Sequence, residues 1–96
     1  IVYGSYVGNG QYGSSNPKTL TFDGTPLFVA LSGRYHFFAV KGCSFAQTLS
    51  SPSLADLSLP LTWGDLSVSW YSTENADKQQ NLSGTDYFYI ALLAAN

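Results

Sequence analysis

Ninety-six residues and 10.4 kDa suffice for one hydrophobic core and are too few for two. Four basic and six acidic residues stand against two Trp, seven Tyr and six Phe, which disfavours a charged helical bundle and leaves solubility to hydroxyl, amide and glycine surface. The formal net charge of −2, with Lys18, Arg34, Lys41 and Lys78 scattered, offers no basic footprint for nucleic acid, and no apolar run approaches the ~20 residues of a membrane-inserted span.

The chain opens on Ile1-Val2-Tyr3, with neither an initiator Met nor a leader-like start, and is read as one domain over residues 1–96 cut from a longer polypeptide. Val2 to Val7 predicts a first strand, and Asn9-Gly10 signals a tight turn because such a turn needs positive φ. Tyr12 to Asn16 reads as loop. Thr19 to Phe22 alternates, with Leu20 and Phe22 inward, and ends at the turn Asp23-Gly24-Thr25-Pro26.

Leu27 to Leu31 and Tyr35 to Val40 flank Ser32-Gly33-Arg34 as a hairpin whose arms are apolar on both faces, which suits a central position or contact with a partner chain. Lys41 to Asp56 is mostly loop, with one short strand around Ser44 to Thr48. Leu57 to Trp63 and Leu66 to Tyr71 form the clearest hairpin, turning at Gly64-Asp65, with Leu66, Val68 and Trp70 inward and Pro60 on an edge or at a bulge. Ser72 to Thr85 is polar and turn-rich, with one helical turn at Glu74, Asp77 and Lys78. Tyr87 to Leu92, apolar on both faces, is a central closing strand. The expected fold is all-β: an antiparallel β-sandwich, jelly-roll-like, of about seven to eight short strands.

Catalytic and metal chemistry is thinly supplied. Cys43 is the lone cysteine, so no intrachain disulfide forms, and it reads as buried or idle. His36, between Tyr35 and Phe37, reads as structural. No Gly-x-Ser-x-Gly elbow occurs, the acids sit mostly at turns or strand ends, and Glu74 with Asp77 matches no calcium loop. Asn81-Leu82-Ser83 is a glycosylation sequon. The expectation is a non-enzymatic domain with no metal and no cofactor. Among the aromatics, Trp70, Phe22 and Phe88 read as core. Tyr12, in a Gly/Ser loop, and Tyr71, on the polar side of its strand, read as exposed. Trp63 suits core or sugar platform equally, and Arg34 beside Tyr35 at a hairpin tip offers a stacked, hydrogen-bonding pair. Tyr12, Arg34, Tyr35, Trp63 and Tyr71 are the candidate ligand-binding residues, because neutral sugars are held by stacking and hydroxyl hydrogen bonds.

Two segments carry a resemblance. Gly4-Ser5-Tyr6-Val7-Gly8-Asn9-Gly10-Gln11-Tyr12 through Pro17-Lys18-Thr19-Leu20-Thr21-Phe22, continuing to Pro26 and the run Leu27 to Leu31, is one. Leu61-Thr62-Trp63-Gly64-Asp65-Leu66-Ser67-Val68-Ser69-Trp70-Tyr71-Ser72, then Gln80 to Thr85 and a Tyr-rich last strand, is the other. Together they resemble distal domains of tail-fibre and tail-associated proteins from phages and prophages of Gram-positive gut bacteria. Lys41 to Leu59 and the ending Leu92 to Asn96 depart from that pattern. The resemblance implies an extracellular module of a virion tail fibre, at the tip of a homotrimer, that recognises a bacterial cell-surface glycan or protein. The alternatives are a structural trimerisation or capping module of the fibre and a carbohydrate-binding module of a larger hydrolase.

Assembly is also expected from the residues themselves. Phe28 and Ala30 oppose Leu27, Val29 and Leu31, while Phe88, Ile90 and Leu92 oppose Tyr87, Tyr89 and Ala91. Each sheet of a sandwich has one inward face, and the Ser-, Asn- and Gln-containing loops make poor lids. The outward apolar positions therefore predict association with further copies.

Overall fold

The period-two segments become eight antiparallel strands in the computed structural model, which describes residues 1–32, 36–49 and 57–94. They are β1 (Val2–Val7), β2 (Lys18–Thr21), β3 (Pro26–Ser32), β4 (His36–Val40), β5 (Phe45–Leu49), β6 (Leu57–Trp63), β7 (Ser67–Trp70) and β8 (Asp86–Leu93). Their hydrogen-bonded order is β1-β8-β3-β4-β5-β6-β7-β2. The all-β, sandwich-like expectation holds, and the described residues contain no helix.

β6 belongs to two sheets. Leu57 to Pro60 pair with β5, and Leu61 to Trp63 pair with β7. Each half is thus the edge of its own sheet, which is where a proline lacking an N–H is tolerated. The larger sheet runs from β1 to the first half of β6, and the smaller one comprises the second half of β6, β7 and β2. Between them one core gathers Val29, Leu31, Phe37, Ala39 and Ala91 from one layer and Leu20, Phe22, Val68 and Trp70 from the other. Phe37 and Trp70 meet across it with ring centroids 4.6 Å apart.

Both hairpins pair as expected, β3 with β4 and β6 with β7. β3 and β8 lie centrally, side by side. Several details differ from the sequence reading, the smallest being that Pro26, expected to close the preceding turn, opens β3 and pairs with Leu93 at a register shift. Asn9-Gly10 does not join paired strands: only Gly10 of the two takes positive φ (84°), while β1 pairs with β8 and β2 with β7. The loop is held instead by the opposite segment, with Gly8 N–H donating to Thr85 O and Gly10 N–H to Asn81 O. A Cβ on Gly8 would collide with the Leu82 carbonyl, so this approach demands glycine. The β6–β7 turn is centred one residue later than expected, because Gly64 N–H donates to Ser67 O, and Leu66 is therefore exposed at its tip rather than inward.

Phe88 differs too. It is 47 % exposed, because Tyr87 takes the inward face of β8, stacked on Tyr6 at 5.1 Å, and alternation turns Phe88 outward. Ala76 to Asn81 form overlapping turns rather than a regular helical turn, their bonds running Gln79 N–H to Asn75 O, Gln80 N–H to Asp77 O and Asn81 N–H to Ala76 O. Of the two readings of Cys43, the buried one fails: it is exposed.

Candidate functional site

Loops 8–17 and 72–85 converge on three consecutive buried residues, Gln79, Gln80 and Asn81. Gln79 Oε1 accepts from Ser72 N–H (2.8 Å) and Gly13 N–H (2.9 Å), while its Nε2 donates to Asn16 O (2.8 Å) and, at longer range, Gln11 O (3.4 Å). Both capacities of the amide are used. Asn81 repeats the pattern: Oδ1 accepts from Asn9 N–H (3.2 Å), and Nδ2 donates to Asn9 Oδ1 (2.6 Å) and Gln11 O (2.9 Å). Engaged and buried in this way, Asn81 is no glycosylation acceptor in the folded domain.

Main-chain oxygens of the same triplet anchor the core. Trp70 Nε1 donates to Gln79 O (2.8 Å), and the Tyr6 hydroxyl donates to Gln80 O (2.7 Å). Gln80 itself sits at φ 61° with a buried side-chain amide that finds no hydrogen-bond partner among the described residues. Its neighbours hold that strained conformation in place, since bonds on either side over-determine the backbone.

Beside this knot, the Lys18 ammonium lies 4.0 Å from the Tyr6 ring centroid. Burial, and then the neighbouring Tyr87, raise the Tyr6 pKa far above the ordinary phenol value; desolvation lowers that of Lys18. The linkage has a definite sign. A phenol whose folded pKa exceeds its unfolded value of ~10 contributes stability below pH ~10 that is lost as pH rises further. Lys18 acts in the opposite direction, so the informative comparison is between variants. Tyr6→Phe is expected to lower stability by about 1 kcal/mol at pH 7, through the lost bond to Gln80 O, and to flatten the decline above pH 10. Urea midpoints at pH 7, 10 and 11 check this, and parallel curves for parent and variant would contradict it.

The predicted ligand residues divide. Tyr12 is 45 % exposed and Tyr71 is half-buried. Gly13 and Ser72, their immediate neighbours, donate to the same Gln79 oxygen, so the knot brings both tyrosines to one end of the molecule. Trp63 lies at the other end of the β6–β7 hairpin, packed against the core rim, its Nε1 donating to Cys43 O (3.1 Å). Arg34 and Tyr35 fall outside the described residues, and so does the hairpin tip they were expected to form. The side chain of His36 is likewise outside the description, although its backbone belongs to β4. Glu74 pairs with Lys78, four residues further on.

A second feature occupies the outer face of the larger sheet. Register places Tyr3, Ile90, Ala30 and Phe38 in one row across β1, β8, β3 and β4, and Leu92, Phe28 and Val40 in the next. Phe45 on β5 is exposed as well. A shallow apolar groove of about 290 Å³ opens over the small side chain of Ala30, walled by Tyr3, Phe38, Phe88 and Ile90. The sequence shows the central strands of this face as apolar on both sides without choosing the outward one, and its reading of Phe88 as core is the part that the structure reverses. Gln79 and Asn81 gave no such signal, because a polar residue in a polar loop reads as solvated.

No family model matches the chain, and neither curated proteins nor solved structures yield a significant match.

Proposed function

We propose that the domain is a non-enzymatic receptor-binding or adhesion module at the tip of a phage tail fibre, recognising a bacterial cell-surface glycan or protein. The fibre assignment rests on the resemblance carried by the segments from Gly4 to Leu31 and from Leu61 to Thr85. The observation that supports recognition is the Gln79 knot, which ties the loops bearing Tyr12 and Tyr71 to one oxygen atom. Aromatic side chains on loops already fixed before binding lose little entropy when a sugar stacks on them. The small number of charges suits a neutral glycan.

Binding of the 96-residue chain to a glycan array and to intact Gram-positive cells tests the reading. Specific retention is expected, and Tyr12→Ala and Tyr71→Ala are each expected to weaken it about tenfold, the equivalent of ~1.4 kcal/mol. Reproducible silence on arrays and cells would overturn it. A structural trimerisation or capping module is the second reading, and the apolar outer face of the larger sheet favours it.

A further inference from the structure

We infer that the outer face of the β1-β8-β3-β4-β5 sheet is a contact surface between copies of this chain. The inference is independent of receptor binding, because it uses the face of the sheet and not the knotted loop end. Its first support is continuity. Tyr3 is 75 % exposed, and Phe38, Val40, Phe45, Phe88, Ile90 and Leu92 are each 42–53 % exposed. These residues lie on β1, β8, β4 and β5, with the partly exposed Phe28 and Ala30 of β3 between them, so the apolar surface is continuous across the sheet rather than scattered singly.

The second support is charge. Among the described residues the two central rows hold no charged side chain, and Asp86, paired with Val7, lies beyond Phe88 at the margin. A face that recognises a charged partner carries the opposite charge; a neutral apolar face meets its own copy without like-charge repulsion. Symmetric assemblies bury the same patch from every subunit, so one uncharged surface serves all contacts. The third support is relief. The groove over Ala30 lies among protruding aromatics on the same face, so knobs and a hole are present on one surface and can interlock between copies.

Sedimentation velocity of the 96-residue chain from 1 to 200 μM decides the matter. Reversible association is expected, with the dissociation midpoint moved upward at least tenfold by Ile90→Lys, at the centre of the rows. Tyr3→Glu on the edge strand β1 supplies an independent second variant. Thr19→Lys, on the exposed face of β2, is the control and is expected to associate as the parent does. Circular dichroism identifies folded variants, and only those are compared. A parent that stays monomeric at 200 μM overturns the inference. Folded Ile90→Lys and Tyr3→Glu variants that associate like the parent also overturn it, and so does disruption by the β2 control equal to theirs.

Discussion

Trp70→Ala is expected to bring the domain to the edge of unfolding at 25 °C. The indole is fully buried, lies 4.6 Å from the Phe37 ring, and belongs to a residue paired with Lys18 on one side and Leu61 on the other. It therefore fills the space between the layers at the centre of the smaller sheet. Truncation leaves a cavity, at a cost of about 3–5 kcal/mol for a buried aromatic. It also strips the Gln79 carbonyl of the indole N–H, adding about 1–3 kcal/mol for a buried acceptor without a partner. A domain of this size has on the order of 5–15 kcal/mol in total. Trp70→Phe keeps most of the ring contact and loses the donor, so its midpoint should fall between those of parent and alanine variant. Urea unfolding followed by far-UV circular dichroism orders the three. A loss below 1 kcal/mol for Trp70→Ala would mean that the layers are not held together through this ring.

Gln79→Leu is the second large effect, and it acts through hydrogen bonds rather than volume. Leucine fills similar space but leaves Ser72 N–H, Gly13 N–H and Asn16 O without their partner. At about 1–3 kcal/mol for each of these three groups, the expected loss is roughly 3–9 kcal/mol, at the lower end where water reaches the part-buried Gly13 and Asn16 groups. Loops 8–17 and 72–85 should part before the sheets do, so amide exchange at Gly13 and Ser72 accelerates most. Gln79→Glu gives a further test with a fixed sign. Its carboxylate keeps both accepted bonds but faces the Asn16 and Gln11 carbonyl oxygens. Burial and those oxygens raise the folded pKa of the introduced acid above its unfolded value of ~4.3. Stability is then present below pH ~4.3 and falls as pH rises through the folded pKa. A Gln79→Glu variant equally stable relative to the parent at pH 4 and pH 7 would contradict the assigned amide orientation. Both variants should also impair ligand retention, since they release the backbone beside Tyr12 and Tyr71.

The two features pull the molecule's polarity in opposite directions from the usual arrangement. Amides are buried at the loop end, where among the described residues the Gln79 and Asn81 side chains are bonded and that of Gln80 is not, and aromatics are exposed on the sheet face. Buried amides contribute order to loops that lack a core of their own. The exposed halves of the apolar rows add little to the isolated fold, and the contact between copies inferred above would account for their extent.

Much of this was legible in the amino-acid order alone. Strand identity along Val2–Val7, Leu27 to Leu31 and Leu57–Trp63, and the pairing of the two sequential hairpins, follow from alternation and turn chemistry, which act over a few neighbouring residues; that Pro26 and Ser32 also pair with β8 does not. The doubly apolar character of β3 and β8 was visible for the same reason. Tertiary structure alone decided which apolar face of β8 turned inward, because Tyr87 and Phe88 are equally acceptable to a strand and only packing of Tyr87, Tyr89 and Ala91 against the core chooses between them. It also decided that β1 pairs with β8 and β2 with β7, and that β6 changes partner after Pro60. The knot was hidden most deeply, since Gln79 meets Gly13 and Asn16 across more than sixty residues of chain. A polar side chain declares itself structural only when a distant loop delivers the donors and acceptors that allow it to leave water.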